Sequence, residues 1–135
     1  MKEKVQPVAS ASTVVGDWKL VGSASGQPLL LQLRDGSPLF AGFYGLVLSG
    51  TGPINSFSAK AQFSKGPSIE SGEAGTGRVW EFITTFKSGT PEATQRESGY
   101  FQRLQSVRRI ELTNTGRLHL THTQPTTGVL IYQRQ

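Results

Sequence analysis

The chain lacks cysteine, has only two histidines, and contains no long run of apolar residues. Without cysteine there can be no disulfide framework, no thiolate zinc site and no thiol catalysis. No stretch reaches the roughly 18 apolar residues of a membrane-spanning helix, so no such span is predicted. Acidic residues are fewer than basic ones, 9 against 14, which gives a formal net charge of +5.

Turn-forming residues are abundant, with 16 glycines and 7 prolines among 135 residues. This balance predicts many turns and few helices. A chain of this length is expected to form one domain. Residues 1–14 are polar and mixed in character, so we expect a flexible N-terminal segment there and a single domain at 15–135. The first residues lack the continuous apolar core of a signal peptide.

Residues 90–107 have the pattern of an amphipathic helix. Thr90 can cap the N-terminus and Pro91 suits the first helical position. Gly99 weakens the helix by about 1 kcal/mol relative to alanine. Glu97 falls among the apolar positions, and we expect it at the edge of the buried face, paired with an arginine. The predicted buried stripe, spaced by three and four residues, comprises Ala93, Glu97, Tyr100, Phe101, Leu104 and Val107.

The remainder of the chain shows the alternation of apolar and polar residues that is typical of strands. Asp35 and Gly36 predict a tight hairpin, 23–28 a turn, and 65–77 a flexible connection rich in glycine, serine and glutamate. Strands are predicted at residues 17–22, 29–34, 38–49, 54–64, 78–86, 108–113, 117–123 and 128–134. We therefore predict an α+β fold, mainly β, in which an antiparallel curled sheet or incomplete barrel of about eight strands packs on one α-helix.

Alternation also assigns the faces of these strands. One predicted buried face carries Asn55, Phe57, Ala59, Ala61 and Phe63, and another carries Trp80, Phe82, Thr84 and Phe86. Leu118 and Leu120 are predicted to pair with Ile110 and Leu112. The aromatic side chains, with Trp18, are interpreted as core; the alternative is an apolar pocket left by an incomplete barrel. Asn55 is expected to tie down the bend at 50–53, with ligand contact as the alternative.

The order of these features resembles the META domain, also called the HslJ-like domain. The resemblance covers residues 15–134 and combines a Gly-x-Trp opening, an Asn-x-Phe strand, a threonine-bearing strand, one helix with an acidic residue, and two final strands. The residues that carry it are Gly16, Trp18, Gly52, Asn55, Phe57, Thr84 or Thr85, Glu97, Phe101, Leu104, Val107, Gly116, Leu118 and Leu120.

This resemblance implies an antiparallel barrel-like sheet on one helix and no established enzymatic activity. Family members are often small exported proteins or lipoproteins of the bacterial envelope, some linked to heat shock or antibiotic tolerance. We therefore expect a periplasmic or envelope protein whose leader lies outside this sequence, with a cytoplasmic location as the alternative. The family typically has two cysteines where this chain has Ile54 and residues 88–90, so the family disulfide is missing here.

No catalytic residue, cofactor-binding residue or metal ligand is predicted. His119 and His122 should point to opposite faces of one strand, which prevents them from sharing a metal, and we expect both to be solvated. No serine or threonine lies in a Gly-x-Ser-x-Gly elbow. The carboxylates are scattered over turns and strands, and their spacing does not show a catalytic pair.

A cluster of basic residues is predicted near the helix: Arg96, Arg103, Arg108, Arg109 and Arg117. With Tyr100 and Phe101 nearby, this cluster suggests contact with nucleic acid or anionic lipid, whereas the alternative is a solvated helix face that complements the helix dipole. We favour the solvated face. The candidate contacts for a ligand or partner are Trp80, Phe82, Tyr100, Arg103, Arg108 and Arg109.

Three functions follow as hypotheses. The first is a monomeric, non-enzymatic META-domain protein, stress-related, that binds a protein or lipid partner. The second is a carrier with an apolar cavity between helix and sheet, lined by Trp80, Phe82 and Leu104. The third is a binder of an anionic polymer or lipid through the arginines, for which nucleic acid is the less favoured partner.

Overall fold

The computed structural model describes residues 13–22, 28–36 and 45–135. Within them, eight antiparallel strands pair with their neighbours in sequence and β8 pairs with β1, which closes a barrel. The strands are β1 (Gly16–Leu20), β2 (Leu30–Asp35), β3 (Leu46–Thr51), β4 (Ser56–Phe63), β5 (Glu73–Thr84), β6 (Val107–Leu112), β7 (Arg117–His122) and β8 (Gly128–Arg134), with the helix α1 (Pro91–Gln105) and a short 3-10 helix at Gly66–Ser68. The predicted fold class is confirmed, and the sheet is closed rather than incomplete.

Most of the predicted strand faces point as expected. Along β4, Phe57, Ala59, Ala61 and Phe63 are all buried, and the residues between them are more exposed. In β6 and β7 the predicted pairs form in register, Ile110 with Leu120 and Leu112 with Leu118. These inward side chains fill the barrel, and burial of a large aliphatic side chain stabilises the folded state by about 1.5–3 kcal/mol.

The helix lies at one end of the barrel. Because successive strands run in opposite directions, the connection between β5 and β6 leaves and re-enters the sheet at that end. Thr90 caps α1 as predicted, since its Oγ1 accepts a hydrogen bond from Ala93 N at 3.1 Å. Tyr100, Phe101 and Leu104 form the buried face. The predicted helix extends too far, because Val107 is already the first residue of β6.

The opposite end of the barrel is closed by the residues that precede β1 and by the 3-10 helix segment. Trp18 Nε1 donates to Val14 O at 2.9 Å, and Val14 N donates to Ile69 O at 3.0 Å. All three side chains are fully buried. The Arg134 guanidinium lies 4.2 Å from the centre of the Trp18 ring and donates to Thr13 O. Thr13 and Val14 therefore already make contacts within the fold, although the domain was predicted to start at residue 15. Residues 1–12 of the predicted flexible segment lie outside the described residues.

A bulge in β5 reverses the faces predicted for part of that strand. Ser58 pairs with Ile83 but Lys60 pairs with Trp80, so β5 has one more residue than β4 between these two pairs. Glu81 lies in the bulge with a φ of 54°, in the left-handed region. Trp80 consequently shares the outer face with exposed Lys60, and its predicted place in the core is wrong.

The two ends of β5 also differ from expectation. Phe86 is 94% exposed, because β5 ends at Thr84 and the residue lies beyond the sheet; its predicted place in the core is wrong. The strand begins at Glu73, within the predicted flexible connection. Gly77 lies within this strand, and the position requires glycine. A Cβ there would lie 1.7 Å from Gln62 O, so the absence of a side chain lets β4 and β5 approach closely.

One predicted turn and part of one predicted strand lie outside the described residues. The predicted turn at 23–28 lies almost entirely in residues 23–27, and the first part of the strand predicted at 38–49 lies in residues 37–44; neither segment is described. The predicted tight hairpin at Asp35 and Gly36 is wrong. Asp35 pairs with Leu46, so residues 36–45 separate the two strands.

Candidate binding groove between the helix and the barrel rim

A buried hydrogen-bond network, the Asn55–Glu97 latch, joins α1 to the start of β4. Glu97 Oε2 accepts hydrogen bonds from Ile54 N at 2.8 Å and Asn55 N at 2.6 Å, and Glu97 Oε1 accepts one from Asn55 Nδ2 at 2.7 Å. Glu97 is only 7% exposed. The predicted arginine partner is wrong among the described residues, because backbone and amide donors occupy both carboxylate oxygens.

The Asn55 amide holds three parts of the chain together. Its Oδ1 accepts hydrogen bonds from Thr85 Oγ1 and from Lys87 N, both at 2.7 Å, while Nδ2 bonds to Glu97. The amide thus connects β4, the segment after β5, and α1. The prediction that the Asn55 side chain ties down the bend at 50–53 is wrong. A backbone hydrogen bond holds that bend, from Gly52 N to Asn55 O at 2.7 Å.

Aromatic side chains fill the barrel beneath the helix. The rings of Phe57 and Phe82 stack with their centroids 5.2 Å apart, and Phe101 meets both edge-on at 5.4 and 5.2 Å. Leu104 is completely buried. With Trp80 on the outer face, the cavity predicted between Trp80, Phe82 and Leu104 is not formed by these three side chains.

A pair of tyrosines lies at the same end of the barrel. The hydroxyl groups of Tyr100 and Tyr132 are 2.6 Å apart and buried. Burial raises the pKa of both phenols well above the usual value, and both are protonated at neutral pH. Tyr100 therefore contributes a fixed, neutral ring between the core and the surface.

An open groove of about 570 Å³ runs between one side of α1 and the barrel rim. Its floor is mainly apolar, and its wall on the helix side is polar and charged. The floor and rim residues from the barrel are Leu20, Leu29, Pro53 and Leu130, and the residues from α1 are Glu92, Gln95, Arg96, Gly99, Tyr100 and Arg103. A volume of this size lies within the roughly 300–1,000 Å³ of small-molecule pockets.

The arginines predicted as one cluster occupy separate places. Arg96 and Arg103 border the groove. Arg108 lies outside it, in β6, and Arg109 pairs with Glu111 at 3.0 Å. The fifth, Arg117, begins β7 at the end of the barrel away from the helix, and a strand of this length spans roughly 20 Å. The predicted single basic cluster is therefore wrong.

The two histidines do lie on opposite faces of β7, as predicted. His122 is buried, however, with its Nδ1 3.1 Å from Gln124 O, so its predicted solvation is wrong. Among the described residues, no group of three or more histidine, aspartate or glutamate side chains is arranged to hold a metal ion.

The described residues thus form an eight-stranded up-and-down barrel, closed at one end by a helix that forms one wall of a surface groove. No protein-family model, curated protein or solved structure matches the chain. In the described residues, no helix combines the length and the apolar character needed to cross a bilayer.

Tyr100 and Arg103, two of the predicted candidate contacts, both line the groove. Trp80, Phe82, Arg108 and Arg109 do not line it. The apolar floor was missed because its residues come from three distant parts of the chain. One local signal was present: Gly99 is an unfavourable helix residue that lies in the groove wall.

Proposed function

We propose that this chain is a non-enzymatic binding protein of the META-domain type, and that its binding surface is the groove between α1 and the barrel rim. The partner would be a lipid or a protein. A stress-related role and an envelope location rest on the resemblance to the family alone. We expect the protein to act as a monomer without a metal or cofactor.

Support for the META-type assignment comes from contacts between residues that carry the resemblance. Asn55 and Glu97 bond to each other, and Thr85 bonds to the Asn55 amide. Phe57 and Phe101, which also carry the resemblance, are in ring contact. Residues far apart in the sequence therefore act together in one network, which is what a shared structural motif requires.

The observation that carries the binding proposal is the contrast between a filled interior and an open groove. The barrel interior beneath the helix is occupied by Phe57, Phe82, Phe101 and Leu104, whereas the groove leaves an apolar floor in contact with solvent. A concave apolar surface with a few polar groups at its edge is the usual form of a ligand site.

Native mass spectrometry of protein purified without denaturation, after exposure to a lipid and metabolite extract of the cells that make it, tests this proposal. We expect a bound mass with the wild type and with Gly99→Ala, and none with Gly99→Leu, whose longer side chain would occupy the groove. For a protein partner, a photo-crosslinking residue in place of Gln95 at the groove should capture it, whereas one in place of exposed Gln133 should not. No bound mass and no groove-specific crosslink would contradict the proposal.

The other two hypotheses have less support. A carrier with an internal cavity requires space where aromatic rings pack. A binder of an anionic polymer requires a continuous basic surface, but Arg117 lies at the far end of the barrel and Arg109 pairs with Glu111.

A further inference from the structure

We propose that the groove binds a single-chain amphiphile with a carboxylate head, a molecule of the fatty-acid class. This inference rests on the proposed function of the same groove and specifies its ligand. The aliphatic chain would lie on Leu20, Leu29 and Leu130, and the carboxylate would lie between Arg96 and Arg103.

The floor of the groove has the chemistry of a site for a hydrocarbon chain. Leu20 at the end of β1, Leu29 before β2 and Leu130 in β8 come together on neighbouring strands, since β1 pairs with both β2 and β8. Leu20 and Leu130 are half-buried. Covering such a surface with an alkyl chain removes apolar area from water, at about 25 cal/mol per Å².

The head group is assigned from the charges on the helix wall. Arg96, Tyr100 and Arg103 follow one another at intervals of four and three residues, so they lie along one side of α1. Neither arginine has an acidic partner within 4.0 Å among the described residues. Among the described residues of the groove lining, Glu92 is the one acidic residue, which leaves two positive charges against one negative charge.

That balance favours a carboxylate over other head groups. A net wall charge of +1 repels an alkylamine and is matched by a single negative charge. A phosphate monoester carries about −1.5 to −2 charges at neutral pH, and part of that charge would remain unpaired beside Glu92. Arginine also forms two parallel hydrogen bonds with a carboxylate, which gives orientation as well as affinity.

Gly99 supplies an independent observation. Glycine inside a helix costs about 1 kcal/mol relative to alanine. Among the described residues, a Cβ at this position would meet only the Arg103 guanidinium, at 3.4 Å, so packing against them does not demand glycine. The missing side chain instead leaves the wall open between the two arginines, at the place assigned to the head group.

The test is a titration of the whole chain with laurate, lauryl phosphate, lauryl alcohol and laurylamine, all below their micelle concentrations, followed by calorimetry and by NMR shifts of the Gly99 and Leu130 amides. We expect one-to-one binding of laurate, about tenfold tighter than the alcohol because of the charge-assisted hydrogen bonds, and no saturable binding of the amine. Arg96→Gln and Arg103→Gln should each weaken laurate binding about tenfold. Arg117→Gln, which removes the same charge at the far end of the barrel, should change it less than about twofold.

Gly99→Leu should abolish laurate binding, whereas Gly99→Ala should retain it; both replace glycine by a better helix former, so the fold is preserved. Equal affinity for laurate and the alcohol, tighter binding of lauryl phosphate than of laurate, or laurate binding that survives Gly99→Leu would each overturn the proposal. Absence of laurate binding would overturn it as well. If laurate does not bind, a ligand mass seen by native mass spectrometry that disappears only with Gly99→Leu would still support the groove as the binding surface.

Discussion

Replacement of Glu97 by glutamine should destabilise the protein although the side chain keeps its shape. In the Asn55–Glu97 latch the carboxylate receives three hydrogen bonds and donates none. A glutamine NH₂ group would face either two backbone N–H groups or the Asn55 Nδ2 group. Rotation of the Asn55 amide does not resolve this conflict, because its Oδ1 already accepts from Thr85 and Lys87.

The size of the effect follows from the number of unpaired donors. A buried donor left without an acceptor costs about 1–3 kcal/mol. Glu97→Gln leaves one or two donors facing another donor, so we expect a loss of about 2 kcal/mol in the free energy of unfolding. Glu97→Ala removes the acceptor for all three, and water can reach half-buried Ile54, so we expect a loss of about 3–4 kcal/mol.

Urea denaturation followed by tryptophan fluorescence measures these losses, since Trp18 is in the core. Glu92→Gln on the exposed first turn of α1 is the matched control and should cost under about 1 kcal/mol. In a double-mutant cycle, Asn55→Ala and Glu97→Ala should be strongly non-additive. A loss under about 0.5 kcal/mol for Glu97→Gln would refute the reasoning, because it would mean that the carboxylate bonds are replaced by water at little cost.

Three further predictions concern the core, the tyrosine pair and the bulge. Leu104→Ala should cost about 2–5 kcal/mol in urea denaturation, because its side chain is completely buried; a loss well under about 1 kcal/mol would mean that α1 is not packed on the barrel. Because burial raises the folded-state pKa of Tyr100 and Tyr132, the contribution of this pair to stability should be constant below the usual tyrosine pKa of about 10 and should be lost as the pH rises above it. An ultraviolet titration that shows both phenols ionising near pH 10 in folded protein would contradict this. Glu81→Gly should be neutral or stabilising by up to about 1 kcal/mol in thermal unfolding, because glycine adopts the positive φ without strain, and a clear loss would show that the ion pair with Lys60 matters more.

The sequence was sufficient to predict strand faces and helix caps where these depend only on residues close together in the chain. β4 alternates without interruption, and Phe57, Ala59, Ala61 and Phe63 lie inside as predicted. The cap at Thr90 depends only on neighbouring residues. β5 was misassigned because its bulge lies at Glu81, and glutamate gives no sign of a positive φ; one extra residue then moved Trp80 to the outer face.

The latch and the groove were harder to predict because their partners are far apart in sequence. Glu97 was recognised as out of place in an apolar stripe, but its partner Asn55 lies 42 residues earlier. The groove floor combines Leu20, Leu29 and Leu130, which only barrel closure brings together. Periodicity assigns a face to each element, and it does not tell which faces meet.

The latch gives the groove its form. Glu97 lies on the inner side of α1, and its bonds to the start of β4 fix the helix across the barrel mouth. Arg96 and Gly99, one and two residues away along the same helix, are therefore held at a fixed distance from the rim. A ligand that enters such a preformed site loses less free energy to ordering the protein than one that must close a loop. The roles of Glu97 and Gly99 are thus connected. Glu97 fixes the helix wall of the groove in place, and Gly99 keeps that wall open.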